Sequence, residues 1–398
     1  MSDPIPYIAR GSKAFSAILI ALFFAGFTSF SVLYCVQPMM PIFAQYFQIS
    51  PTQSSFPLSL STVALAVGLL FTGMISDRFG RKPIMLWALL LCSSLTILSS
   101  FVQMWPLYLL FRVLIGLCVS GVAAVAMTYI GEEIAREDLA FAMGLYISGT
   151  AVGGMSGRLL AGVMIDFLSW QQATLIIGLL NFCLAIAFWK LLPNSRHFSA
   201  YPMHFSRFIQ SFAHNLADRK LRILFVQAFI LMGCFVTIFN YMSYHLLEAP
   251  FQLSQTWIGL ISIVYLAGIY SSPRAAAWSR CFGREKVLPV MLCSMIAGLG
   301  IMMLNQIWLI FIGLLIFTFS FFAAHSTASA WVSVQAVQYR AVASSLYLFC
   351  YYLGSSILGS SSGVVWENFG WHGIGTEISL ILVFGLLLAV YLARGSRT

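Results

Sequence analysis

The sequence predicts an all-α integral membrane protein of twelve transmembrane helices arranged as two six-helix halves. Three observations carry this. The 398 residues are 60% hydrophobic and only 8% charged, with a mean hydropathy of +0.90, whereas a soluble domain carries about 25% charged residues. Apolar runs near the ~20 residues that cross a hydrocarbon core begin around Ala14, Thr52, Pro83, Trp105, Ala140, Gln172, Leu221, Thr256, Val287, Ile307, Ala341 and Gly373. The polar, basic stretch 193–220 is the only break long enough to part them, into 1–192 and 221–398. Strand-length alternation is absent, which excludes an outer-membrane barrel.

The charge pattern sets the expected topology. An even number of spans puts both termini on one side. Arg10, Lys13, Arg78, Arg81, Lys82, Arg136, Lys190, Arg196, Arg207, Arg219, Lys220, Arg222, Arg274, Arg280, Arg284, Lys286, Arg340, Arg394 and Arg397 then share that side. Only Arg112 and Arg158, inside spans, complete the 21 basic residues. By the positive-inside rule both termini and the linker are cytoplasmic, and 39–52 lies outside. The net charge of +9 is thus a topology signal and calls for no nucleic acid. The 8 cysteines are scattered singly, without C-x-x-C or Cys/His ligand spacing, so neither a metal site nor a disulfide framework is expected. The first run is too long for a cleavable signal and lacks a small-residue cleavage pattern. No H-E-x-x-H, G-x-S-x-G, nucleotide-binding loop or paired intramembrane carboxylates occur, so no enzyme and no cofactor is expected.

Taken in order, span 1 (about 14–36) ends in Tyr34, Gln37 and two prolines, Pro38 and Pro41. Span 2 leads into a tight turn, Gly73-Met74-Ile75-Ser76-Asp77-Arg78-Phe79-Gly80-Arg81-Lys82. Asp77 sits where the helix macrodipole is already negative, so it needs another helix N-terminus or an arginine. Span 3 ends near Phe101. Span 4 carries Arg112, Gly116 and Gly121 and closes on Glu132 and Glu133, which need cations for the same reason; Arg78 and Arg81, on the same membrane face, are the expected partners. In span 5, Gly149, Gly153 and Gly157 repeat every four residues and line one face, where another helix can approach closely. Span 6 ends at Lys190. The second half echoes the first: Arg280-Cys281-Phe282-Gly283-Arg284-Glu285 aligns with Asp77 to Lys82, with Arg280 in the acid's place.

The pattern G-x-x-x-D-R-x-G-R-K over 73–82 resembles the loop between helices 2 and 3 of the major facilitator superfamily of secondary transporters. Arg112 with Gly116 resembles its helix 4 motif R-x-x-q-G, with Ile115 in place of the glutamine. The span 5 glycines resemble the antiporter motif g-x-x-x-G-P-x-x-G-G, except that Gly154 stands for the proline and Arg158 for the last glycine. The resemblance covers the whole chain and points to the twelve-span drug:proton antiporter and sugar-efflux branch. It implies pseudo-symmetric bundles with a midplane site, a monomer in the bacterial inner membrane, a small-molecule substrate and protons as partners. It also implies a gate made of Gly73, Asp77, Arg78, Gly80, Arg81, Glu132 and Glu133. In the family the turn's acid caps the cytoplasmic start of helix 11, here 340–345, while the carrier faces outward. The alternative is a topogenic loop whose charges face water.

The candidate substrate residues are Arg112, Arg158, Tyr34, Asn240 and Tyr241. At 1.5 Å per residue Arg112 lies roughly 10 Å, and Arg158 roughly 10–15 Å, inside the outer ends of their spans. A cation there costs at least ~2.5 kcal/mol, so it must face water, an acid or a ligand. The family links the helix 4 arginine to proton coupling, and helix 7, which carries Asn240 and Tyr241, lines the cavity in this fold. Pairing of Arg158 with Asp166 is the structural alternative, as helix packing alone is for the glycines. Arginine cannot release a proton. Of the acids only Asp166 and Glu377 are even partly within the membrane, so proton coupling is expected through Asp166 or His325, with Asp166 favoured because an arginine could compete with its proton. His325 as a neutral hydrogen-bonded side chain, or arginines that bind an anionic substrate group with no proton, are the competing readings. The leading function is proton-coupled efflux; the alternatives are an uncoupled or anion-exchanging carrier, and a receptor or scaffold that keeps the carrier fold and moves nothing.

Overall fold

A computed structural model gives the architecture, and it describes residues 7–198 and 205–394. Residues 199–204 of the expected 193–220 linker lie outside the described residues, as do the outermost residues of the two expected halves. The described chain is helical: α1 (Lys13–Tyr34), α2 (Met40–Phe47), α3 (Pro51–Ser54), α4 (Phe56–Phe79), α5 (Arg81–Ser99), α6 (Trp105–Ala123), α7 (Ala126–Glu133), α8 (Leu139–Ile165) and α9 (Trp170–Leu191) are followed by α10 (Phe205–Ala217), α11 (Arg219–Leu247), α12 (Gln255–Ile261), α13 (Tyr265–Phe282), α14 (Arg284–Met302), α15 (Ile307–Gln335) and α16 (Arg340–Arg394). No strand forms among the described residues; an isolated parallel bridge joins Ile8 to Ile134. Among them, 10 helical stretches are long and apolar enough to cross a membrane. Their outer faces carry exposed Trp87, Leu91, Leu110, Phe384 and Leu387, an exterior suited to lipid and not to water.

Local chemistry explains the helix starts. Ser12 accepts from the Phe15 N–H at 3.1 Å, while Ser50 with Gln53 and Ser169 with Gln172 form capping boxes. Asp218 accepts from the Lys220 and Leu221 N–H groups at 2.7 and 3.1 Å, which places a carboxylate on the positive end of α11. Two features differ from the sequence reading. Span 4 is broken into α6 and α7 at Ala124 and Val125, and the last two spans run on as α16, interrupted at Gly370 (φ 57°, ψ −150°).

The chain falls into two compact units, Met1–Met39 with Val63–Met203, and Met40–Thr62 with His204–Thr398. The entry to α4 therefore belongs with the second unit and the rest of that helix with the first. In the first unit, Ile18, Leu22, Met85, Leu89, Tyr129 and Phe188 form a buried core. There α8 lies directly on α1: a Cβ added at Gly149, Gly153 or Gly157 would fall within 3.0 Å of the backbone of Phe23, Phe27 or Ser31. In return, a Cβ added at Gly26 of α1 would lie 2.9 Å from Tyr146 O and Thr150 N. The second unit repeats the device, with Gly354 of α16 seated on the backbone of Phe229 in α11. Its core is aromatic, centred on Phe235 stacked 3.9 Å from Phe321.

The echoed turns have one geometry. Gly80 (φ 92°, ψ 160°) and Gly283 (φ 86°, ψ 142°) each immediately precede a helix. Only glycine adopts such a positive φ without strain, so the repeat lives in the backbone even though Arg280 replaces the acid.

Candidate functional site

The broken end of α1 gathers the first group of candidates. After Tyr34 the chain leaves helical register, and Gln37 donates its N–H to Tyr34 O at 3.1 Å and not to Leu33 O four residues back. A helix end leaves such carbonyls without in-chain N–H donors. Arg112, 1% exposed, supplies them: Nη1 donates to Val32 O at 3.1 Å and Nη2 to Leu33 O at 2.8 Å. The guanidinium thus sits on the negative end of the α1 dipole. Arg158, 3% exposed, approaches the same end. Its Nε donates to Gln37 Oε1 and its Nη1 to Gly154 O at 2.8 Å, and its guanidinium lies 4.1 Å from the Tyr34 ring centroid, a cation–π distance.

Arg112, Arg158, Tyr34 and Gln37 therefore form one buried cluster, and the hydrogen bonds described for its two cations end on carbonyl and amide oxygens. Asp166 is exposed at the C-cap of α8, eight residues from Arg158, or about 12 Å of helix rise. Gln37 joins the cluster because the chain stops being helical just before it, a consequence of the prolines at 38 and 41 that hydropathy does not register.

The turn after α4 forms a second cluster, organised on Arg81. Its Nη1 contacts Asp77 Oδ1 at 2.5 Å and Ser76 Oγ at 2.6 Å, and its Nη2 reaches Glu132 Oε1 at 2.7 Å. Asp77 thus finds its arginine one turn along its own chain, across Gly80. Glu133 is fully buried and takes no described arginine side chain; its Oε1 accepts the backbone N–H groups of Arg196 and His197 at 2.6 and 3.0 Å. Arg78 is exposed and lies over its neighbour Phe79, so the expected sharing of two arginines between two glutamates becomes Arg81 with Glu132 alone. Gly73 has nothing within 4 Å of an added Cβ, so no close approach explains it.

In the second unit Asn240 Nδ2 and Tyr241 Oη both donate to Gly359 O at 3.1 Å. Both are buried and tie α11 to α16. His325, partly buried, has its Nδ1 3.0 Å from Tyr347 Oη and its ring 4.5 Å from Tyr351. Outside the residues singled out from sequence, Glu367 holds the start of α3, its Oε1 accepting from the Thr52 N–H at 3.0 Å and hydroxyl at 2.6 Å. Ser54, Ser55 and Thr62 continue this seam onto Tyr244, Ser360 and Ser356. A run of serines at 54–61 facing another at 355–362 was the available signal. No cluster of three or more metal-ligating side chains occurs among the described residues.

A family model described as Major Facilitator Superfamily matches residues 22–359. The chain is 49% identical over 397 residues to the inner membrane transport protein YnfM of Escherichia coli K12, covering 99% of this chain and 94% of that protein. It is 44% identical over 385 residues to a transporter of Buchnera aphidicola subsp. Schizaphis graminum, covering 97% and 93%. Among solved structures, a bacterial homolog of the human lysosomal transporter Spinster, inward-facing and unoccupied, matches with a TM-score of 0.78 at 16% identity, covering 97% of this chain and 98% of that one. That last likeness is one of fold.

Proposed function

Because the chain belongs to the major facilitator superfamily, we propose that it is a secondary carrier that exports a small organic solute in exchange for protons, by alternating access. The observation that carries this reading is the buried pair Arg112 and Arg158. Charge kept inside membrane helices is expensive and marks a pathway more often than a scaffold, which disfavours a receptor that moves nothing. Similarity to an inner membrane transport protein supports a bacterial inner-membrane location, and membership of the family a monomer as the working unit. Counting α16 as two spans about Gly370 and adding α8 brings the total to twelve, in bundles 1–192 and 221–398 joined by 193–220, with both termini cytoplasmic. Asp77, Arg81 and Glu132 then act as the gate, and Gly149, Gly153 and Gly157 keep α1 and α8 moving together.

A second reading has its own support. Arg158 holds a buried positive charge beside the amide and carbonyl oxygens of Gln37 and Gly154, and a buried cation can attract an anionic solute group without any proton. Proteoliposomes loaded to an acidic lumen and offered labelled sugars, organic carboxylates and lipophilic cations separate the two. Antiport predicts accumulation of at least one solute, abolished by a protonophore. Accumulation of carboxylates alone, indifferent to the gradient and lost in Arg158→Ala, would establish anion exchange, and no flux of any solute would leave the receptor reading.

A further inference from the structure

We propose that Glu377 carries the exchanged proton, an assignment that rests on the antiport reading above. Glu377 lies in the second part of α16, seven residues beyond the break at Gly370. Its Oε2 is enclosed and has no hydrogen-bond partner among the described residues. Ser362, from the first part of the same helical run, lies beside the carboxyl. Ser362 Oγ is in turn 3.5 Å from Thr237 Oγ1 of α11, and both hydroxyls are fully buried. A carboxyl and two hydroxyls thus form a short polar file inside otherwise apolar helices.

The surroundings suit a proton better than any other cargo. From α11, Cys234 and Tyr241 are near enough to feel the Glu377 charge, and Glu367 acts on the same Tyr241. Two residues back along the helix, the thioether of Met303 packs on Gly375. His372, on the same helix, is exposed. No lysine or arginine is among these groups, so no fixed cation holds the carboxylate in place. An enclosed oxygen that faces no donor takes its partner from a proton, or from water admitted when the helices part. Oε2 takes a proton from hydronium on one side, forming the O–H bond, and that bond breaks to pass the proton to water on the other. Neither residue singled out from the sequence offers this: Asp166 is exposed at a helix end, and the His325 Nδ1 already meets the Tyr347 hydroxyl.

The test uses wild-type protein in nanodiscs and dicyclohexylcarbodiimide, which modifies protonated carboxyls shielded from water. Peptide mass spectrometry across a pH series should find the adduct on Glu377, falling about tenfold or more from the acid to the alkaline end. Ser362→Ala should move the midpoint of that profile. An adduct absent from Glu377 throughout, or present and independent of pH, overturns the assignment. In proteoliposomes, Glu377→Gln should still exchange labelled solute for unlabelled solute, using whichever panel member moves, and should lose the response to the pH gradient. A Glu377→Gln variant that keeps the wild-type response overturns this assignment alone. Wild-type flux that ignores the gradient overturns the antiport reading and the assignment with it.

Discussion

Replacing Arg112 by methionine separates an anchor from a transport group. The substitution keeps most of the side-chain length and removes both donors to the end of α1. The Val32 carbonyl retains the Cys35 thiol at 3.3 Å, whereas Leu33 has lost its in-chain donor to the turn at Gln37. Hydrogen bonds between membrane helices average about 0.6 kcal/mol and reach about 1.7, and a buried carbonyl left bare costs about 1–3 kcal/mol. The cost of placing a cation in the membrane is borne by separated helices too, so it largely cancels. The net expectation is a loss of about 1–3 kcal/mol of stability, read from reversible unfolding of the purified protein in mixed micelles. Arg112→Lys should fall between, since a single ammonium lacks the planar fork that reaches two carbonyls. If Arg112→Met unfolds like wild type and yet transports nothing, the anchoring geometry is irrelevant and the reasoning fails.

Further outcomes follow from the other clusters. Gly153→Leu drives a Cβ into the Phe27 backbone, where no rotamer relieves the clash. It should cost at least about 1–3 kcal/mol and the monodisperse elution peak, while Gly144→Ala, with nothing within 4 Å, should elute and unfold like wild type. A double-mutant cycle on Arg81 and Glu132, whose side chains are 7% and 25% exposed, should return about 0.5–1 kcal/mol of coupling. The same cycle on Arg78 and Glu132 should return none, and equal couplings would show that the turn reads charge and not geometry. In intact cells a membrane-impermeant maleimide should label Gln45→Cys and leave Asn194→Cys unlabelled until permeabilisation; the opposite pattern would invert the topology.

What could be read in advance was whatever a local pattern encodes. Hydropathy placed the helices because each must present about 20 apolar residues to lipid, and the four-residue glycine spacing marked the face by which α8 meets α1. Gly80 and Gly283 announced equal turns because no other residue takes that φ comfortably. What stayed hidden depends on partners remote in the chain. Nothing near Arg112 tells that its acceptors are carbonyls about eighty positions earlier, freed by the way α1 ends before Pro38. Glu133 looked like a seat for an arginine side chain and instead holds the backbone at Arg196 and His197, because a buried carboxylate serves unpaired N–H groups as well as a cation. Glu377 looked peripheral in sequence, one turn into the last span, since its enclosure comes from Ser362 and from α11. The apolar count cannot show which oxygen of an acid faces a donor.

The most direct test of the whole account needs no imposed gradient. Proteoliposomes holding a pH-sensitive dye in the lumen are given a solute that the panel has shown to move. Exchange for protons predicts that the lumen becomes more alkaline as solute enters, in proportion to uptake, and that a protonophore removes the signal. Uptake of the same solute at an unchanged lumenal pH would contradict the account.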